Sequence, residues 1–204
     1  MNEEWKRFID LVASDIRSDE LDGQDFDLLM RLAPGVVFRV FELSELNKES
    51  ERGCVLVGAA LLDEMLGNLL RAKFTEDNHL DSKDIHFLLT KRPVPPLGSF
   101  AMRIIFSHAF GLIDGQTRRA LDAIRDLRNQ CSHFSKEVMI DLNALAPALA
   151  IVPKYSVMFG RFTEQEDKAL ERKARYACCV MSLLFEIGLR NDKLLSGQQS
   201  GAGS

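Results

Sequence analysis

The sequence has little proline and glycine: 6 prolines and 13 glycines among 204 residues, and they fall in clumps. Clumped breakers between long periodic stretches are typical of a helical protein, because both residue types interrupt helices. The hydrophobic content of 46% and the charged content of 27% are ordinary for a globular chain and exclude wholesale disorder. The length fits one domain, with or without a small appendage.

Cysteine is also scarce, and the four residues form no C-x-x-C pair and no zinc-finger spacing. Cys178 and Cys179 are adjacent within an apolar run, which favours buried thiols. No uninterrupted apolar run approaches the roughly 18 residues of a membrane span. The polar, acidic start Met1–Trp5 is unlike a signal peptide. We therefore expect a reduced, cytoplasmic protein without a membrane contact.

Several chemical signatures are missing from the sequence. It contains no Gly-rich phosphate loop, no G-x-S-x-G motif, no convincing Cys–His nucleophile and no supported metal-ligand spacing. We therefore expect no cofactor and no metal. We also find no clear helix-turn-helix, which makes direct DNA binding doubtful.

The charge balance is mildly acidic, with 26 Lys and Arg against 30 Asp and Glu. This balance argues against a broad nucleic-acid surface, since neutralising phosphates needs clustered basic residues. A modest basic patch around the proline-rich stretch 93–98 stays open, although a solvated face explains the same residues equally well. We take Arg103, Arg118 and Arg125 as the candidate binding residues.

Hydrophobic periodicity predicts an all-α fold, a single bundle of about six or seven helices. Most of the core is expected from the predicted helices 54–73, 99–109, 117–134 and 166–190, the last opened by a capping box at Thr163–Glu166. Residues 75–97 read as loop-rich, and one short β-hairpin is allowed between 136 and 160.

The chain divides into three predicted parts. Residues 1–36 form an N-terminal helical extension, and residues 37–194 form the main helical domain. The Gly-, Ser- and Gln-rich residues 195–204 are expected to be a disordered tail. We expect a homodimer, because a strongly apolar helical surface in a small domain often completes its burial against a second copy.

The helix that starts near Gln116 carries the most distinctive motif, Arg128-Asn129-x-x-x-His133. Asn129 and His133 are four residues apart and therefore neighbours on a helix, while the long Arg128 side chain can converge on the same place. A neutral His can take the proton of a ribose 2′-hydroxyl while an Arg stabilises charge on the phosphate, without a metal. The alternative is structural: Arg128 pairs with Asp63, Glu64 or another carboxylate, and His133 caps the helix.

Two stretches resemble a known family, the mannitol operon repressors. They are Pro96-Leu97-Gly98-Ser99-Phe100-Ala101-Met102-Arg103-Ile104-Ile105 and Ala109-Phe110-Gly111-Leu112-Ile113. Leu61–Leu66 before them and Leu127–His133 after them follow the same order, so the resemblance covers roughly residues 37–190. It implies a mostly helical domain with a regulatory role in transcription, and we expect this role to be exerted through a protein partner.

The Arg128-Asn129-x-x-x-His133 motif also looks like the signature of the higher-eukaryote and prokaryote nucleotide-binding (HEPN) domains. Many of those helical bundles are metal-independent ribonucleases, and others are binding modules. The resemblance implies that Arg128 stabilises the phosphate, Asn129 orients and His133 is the base. Two function hypotheses follow: a non-enzymatic regulator that binds a protein, and a HEPN-like endoribonuclease that binds RNA.

Overall fold

The computed structural model of the protein describes residues 50–76, 80–90, 95–132, 139–152 and 168–201. These ranges contain six α-helices and no β-strand, which confirms the all-α prediction. The helices are α1 (Glu51–Glu76), α2 (Ser82–Leu89), α3 (Phe100–Ala109), α4 (Gly115–Cys131), α5 (Ala146–Leu149) and α6 (Lys168–Gly201). The predicted extension 1–36 and the predicted capping box at Thr163–Glu166 lie outside the described residues.

The centre of the fold is the long contact between α1 and α6. Tyr176 of α6 is fully buried there, and its hydroxyl donates a hydrogen bond to the backbone carbonyl of Val55 at 2.9 Å. Gly58 of α1 faces the Tyr176 ring so closely that an added Cβ would lie 2.7 Å from Cε1. The glycine therefore sets the distance between the two helices, since any side chain at this position would overlap the ring.

Helix α1 is long and apolar enough to cross a membrane, by length and composition alone. However, 56% of its apolar window is buried within the protein. Leu62, Leu66, Leu69 and Leu70 are all fully buried against the rest of the bundle. The apolar character of this buried side follows from its place in the core.

Helix α2 lies inside the stretch 75–97 that the sequence analysis read as loop-rich, so that prediction is wrong for residues 82–89. Asp81 caps the helix, because one carboxylate oxygen accepts hydrogen bonds at 2.8 Å from the backbone N–H groups of both Lys83 and Asp84. Ile85 and Leu89, four residues apart, bury one side of it. Two apolar positions are too few to produce a clear period in the sequence, which is why this helix was missed.

The segment 139–152 contains turns and the short helix α5, and the described part of the stretch 136–160 therefore forms no hairpin. Pro147 stands in the first turn of α5, where a missing N–H costs no hydrogen bond. The rest of the stretch, residues 136–138 and 153–160, lies outside the described residues.

Helix α6 extends to Gly201, whereas the composition predicted disorder from residue 195. Propagation of the helix from its packed part explains why α6 continues beyond residue 195. A helix that is already anchored by its packed segment gains one backbone hydrogen bond for each residue added, so polar residues continue it at little cost.

Helix α3 is delimited by a capping residue at each end, Ser99 at its start and Gly111 after its end. Ser99 caps the start by accepting a hydrogen bond from the Met102 N–H at 3.3 Å, as its position predicted. Gly111 follows the end with a φ of +68°, and its N–H donates to the His108 carbonyl. This left-handed residue ends the helix and turns the chain toward α4.

Candidate functional site

Helix α4 has the two faces that its sequence predicts. Asp114 caps it by accepting a hydrogen bond from the Thr117 N–H at 2.8 Å. On its core side Ala120, Ile124, Leu127 and Cys131 are buried, and Ala123 is half-buried. The opposite side is more exposed and ends in Asn129 and Ser132. The charged side chains of α4 are therefore arranged along a single surface.

Two of the three candidate binding residues meet on this surface at a shared carboxylate. Arg125 Nη1 lies 2.6 Å from Asp122 Oδ1, and Arg118 Nε lies 3.7 Å from Asp122 Oδ2. Arg125 Nη2 also lies 2.9 Å from Asp126 Oδ1. Because Arg118 and Arg125 are each next to a carboxylate, these two side chains offer little net positive charge to a phosphate.

The third candidate, Arg103, lies in the interior and is only 7% exposed. Its Nη1 donates to the carbonyl and to the carboxylate of Asp63, both at 2.9 Å. Its Nε donates to the Leu97 carbonyl at 2.9 Å, and its Nη2 donates to the Leu89 carbonyl at 3.3 Å. Arg103 therefore adds no exposed guanidinium to a basic patch, since its donors are used inside the protein.

Arg128 and Asn129 are exposed at the C-terminal end of α4, and Arg128 Nη1 donates to Asn129 Oδ1 at 3.3 Å. Within the described ranges no carboxylate forms an ion pair with Arg128. Asp63, one carboxylate considered as its partner, is bound by Arg103 instead. A cation suits this position, because the last turn of a helix carries partial negative charge. His133 lies outside the described residues, so its convergence with Arg128 stays a prediction.

The cysteines are all buried and free, which confirms the prediction for Cys178 and Cys179. Burial raises the pKa of the Cys131 and Cys178 thiols and raises the pKa of Cys179 to about 12. These three groups are therefore thiols at neutral pH, and a thiol is a poor nucleophile. In the part of the chain that the structure describes, no group of three or more His, Cys, Asp and Glu side chains could hold a metal ion.

An exposed aromatic side chain at the end of α3, Phe110, was not predicted; with Phe74 and Phe106, whose rings it contacts, it is here called the Phe110 cluster. Phe110 is 44% exposed, Phe106 is half-buried and Phe74 is buried. The Phe110 ring centroid lies 5.8 Å from that of Phe74 in an edge-on arrangement and 5.8 Å from that of Phe106. The available signal was the number of apolar residues on α3, which exceeds what one buried stripe can hold.

Comparisons of the chain with protein-family models, with curated proteins and with solved structures return no match. The function of the site is therefore inferred from the geometry of its residues and from the sequence resemblances described above.

Proposed function

We propose that this chain is a non-enzymatic regulatory protein of the mannitol operon repressor type, which acts on transcription through protein contacts. In this proposal it works in the cytoplasm as a homodimer, needs no cofactor and does not read DNA directly. The proposal names no sugar, because nothing in the residues identifies mannitol as its signal.

The Phe110 cluster is the observation that carries the proposal. Exposed aromatic side chains that are held in place by other rings supply contact area at a low entropy cost, and such anchors dominate protein interfaces. Phe110 is fixed in this way by Phe74 and Phe106. Its position directly before Gly111 also fixes its backbone, because the left-handed glycine ends α3 there.

The ion pairs on the α4 surface support the same proposal. Arg118 and Arg125 are paired with Asp122 and Asp126. A surface that binds nucleic acid needs basic groups that are free to replace counterions. Paired guanidiniums still donate hydrogen bonds to protein groups, which suits a polar rim around an apolar contact.

The test is affinity capture with the tagged wild-type protein and two variants, followed by reciprocal capture with the partner identified. Phe110→Ser should abolish capture, because it removes the exposed anchor. Phe87→Ser is the matched control, since it makes the same change at an exposed phenylalanine of α2 and should retain the partner. Equal capture by all three proteins, or tight sequence-specific DNA binding by the pure wild type, contradicts the proposal.

The second candidate function is a HEPN-like, metal-independent endoribonuclease, and the placement of Arg128 favours it. Arg128 is exposed and is not neutralised by a described carboxylate, unlike Arg118 and Arg125. In this candidate Arg128 stabilises the phosphate, Asn129 orients it and His133 takes the proton of the 2′-hydroxyl. The 2′-oxygen then attacks the adjacent 3′-phosphate, the bond from phosphorus to the 5′-oxygen of the next nucleotide breaks, and that oxygen takes a proton from water, which leaves a 2′,3′-cyclic phosphate and a 5′-hydroxyl.

The ribonuclease candidate is tested by incubating pure protein with RNA in the presence of EDTA. Cleavage should persist, and Arg128→Ala or His133→Ala should each lower the rate by about a hundredfold or more. Arg125→Ala is the control, because that guanidinium is already paired with Asp122. Intact RNA after prolonged incubation with the wild type contradicts this candidate.

A further inference from the structure

Three separate parts of the chain meet at the carboxylate of Glu51, the first residue of α1. Arg172 of α6 donates to it twice, from Nη2 to Oε1 at 2.6 Å and from Nε to Oε2 at 3.0 Å. The backbone N–H of Ile140 donates to the same Oε2 at 2.7 Å. We call this three-way contact the Glu51 clamp.

The Ile140 end of the clamp belongs to the segment 139–152, which packs on α4 through α5. Ile140, Leu145, Ala148 and Ile151 are buried there. Apart from the clamp, a polar tie to a helix of the bundle comes from Gln116 Nε2 of α4, which donates to the Ala150 carbonyl at 3.4 Å. These buried apolar side chains hold the segment along its length, while the clamp adds a polar tie at its start and the weaker contact adds one at its end.

We propose that the Glu51 clamp is a conformational latch that keeps the segment 139–152 closed over α4. Neutralising the carboxylate by protonation or substitution weakens its hydrogen bond with the Ile140 N–H and its pairing with Arg172, and this lets the segment open while the α1–α6 core stays folded. The latch stands independently of both functions proposed above, because it depends only on contacts among described residues.

The geometry explains why one carboxylate can have this role. Its side chain is 13% exposed, and that of Arg172 is 22% exposed, so the pair is largely shielded from water. Hydrogen bonds to a charged group are stronger than neutral ones, and a backbone N–H that loses such an acceptor in a buried site is destabilised. Ile140, Leu145, Ala148 and Ile151 belong to the same apolar core as Tyr176, but the hydrogen bond of Tyr176 to Val55 and its contact with Gly58 do not involve Glu51.

The charges around Glu51 also determine how the stability of the closed latch depends on pH. Burial acts to raise the pKa of Glu51, but the hydrogen bonds from Arg172 and Ile140 and the charges of Arg172 and Lys173 together hold it below 4.5. Within the segment, Asp141 beside Ile140 is exposed and accepts from the Asn143 N–H. A carboxyl group with a lowered pKa stabilises the closed state above the unfolded value of about 4.5, and this stabilisation is lost as the pH falls through the lowered pKa.

Amide hydrogen exchange of the full chain, read separately for 139–152 and for 176–187, tests the latch. At neutral pH, Glu51→Gln should lower the protection of 139–152 by about tenfold or more and leave 176–187 unchanged. Arg172→Met should give the same pattern, because it removes the other half of the pair. Asp126→Asn is the matched control, since it neutralises an exposed carboxylate of α4 and should change neither region.

Unchanged protection of 139–152 in Glu51→Gln overturns the proposal. A parallel loss in both regions also overturns it, because Glu51 would then support the whole domain rather than one segment. Should the variants not fold, the wild type compared at pH 7 and at a series of lower pH values that pass through the lowered pKa of Glu51 gives the same readout after correction for the intrinsic exchange rate. Selective loss of protection in 139–152 supports the latch, and equal loss in the two regions refutes it.

Discussion

Arg103 of α3 binds Asp63 of α1 twice through one nitrogen, because Nη1 donates to both the backbone carbonyl and the carboxylate at 2.9 Å. The other nitrogens reach the carbonyls of Leu89 and Leu97. One side chain thus joins α1, the end of α2, the following turn and α3. Gly67 leaves room for it, since an added Cβ would lie 3.1 Å from Arg103 Nη1.

The first prediction concerns this ion pair. Arg103→Met should lower the free energy of unfolding by about 3 kcal/mol, because it removes the guanidinium that binds the Asp63 carboxylate and three backbone carbonyls. Urea unfolding of wild type and variant measures the difference. Arg125→Met removes a more exposed pair on α4 and should cost less than about 1 kcal/mol. Equal costs for the two variants would contradict the interior role of Arg103.

The second prediction concerns the end of α3. Gly111→Ala should lower the free energy of unfolding by about 1 kcal/mol, because an L-residue with a Cβ is strained at a φ of +68°. Nothing lies within 4 Å of the added Cβ, so the cost is one of backbone conformation alone. Gly115→Ala is the control: this residue is helical, its Cβ meets only an ordinary contact, and the change should not destabilise. A similar decrease in the free energy of unfolding in both variants would argue against a left-handed backbone conformation at Gly111.

The third prediction concerns acid. The hydrogen bond from the Thr117 N–H and the charge of Arg190, whose Nη2 lies 3.2 Å away, hold the pKa of Asp114 below 3.8. A lowered pKa stabilises the fold above the unfolded value and stops doing so as the pH falls through the folded one. Asp114→Ala should therefore cost about 1 kcal/mol at pH 7 and less at pH 3. Urea unfolding of wild type and variant at pH 7 and pH 3 measures this difference. A loss of unfolding free energy that is the same at both pH values would contradict the prediction.

The fourth prediction concerns the thiols. Cys54, Cys131, Cys178 and Cys179 are all buried, and burial holds the pKa of the last three above the usual value. Reaction with a disulfide reagent at pH 8 should be slower in the native protein than in urea by a factor on the order of a thousand. Free glutathione is the control, since urea should barely change its rate. One fast native thiol would show that a cysteine is accessible.

The sequence predicted the parts of the fold that follow from helical periodicity. In α4 the apolar positions are regular, so the buried and exposed sides of the helix could be assigned before the structure was known. The Ser99 cap and the burial of Cys178 and Cys179 follow from equally local signals. The exposure of Asn129 also follows from the helical period, because it lies on the polar side of α4, whereas Arg128 lies at the border of the two sides.

What could not be predicted depends on contacts between distant parts of the chain. The Arg103 side chain is held by Asp63, forty residues away, and by backbone carbonyls, which no side-chain pattern reveals. Likewise, Glu51 and Arg172 are 121 residues apart. Pairing across such separations is set by how the helices pack, and therefore appears only in the folded structure.

The missing side chain at Gly58 has an evolutionary consequence. The ring of Tyr176 occupies the volume that any larger residue at position 58 would need. A related sequence that carries alanine or serine at 58 must therefore carry a smaller residue at 176, or must separate its first and last long helices. The two positions should substitute together, so that aligned relatives can reveal this contact without a further structure.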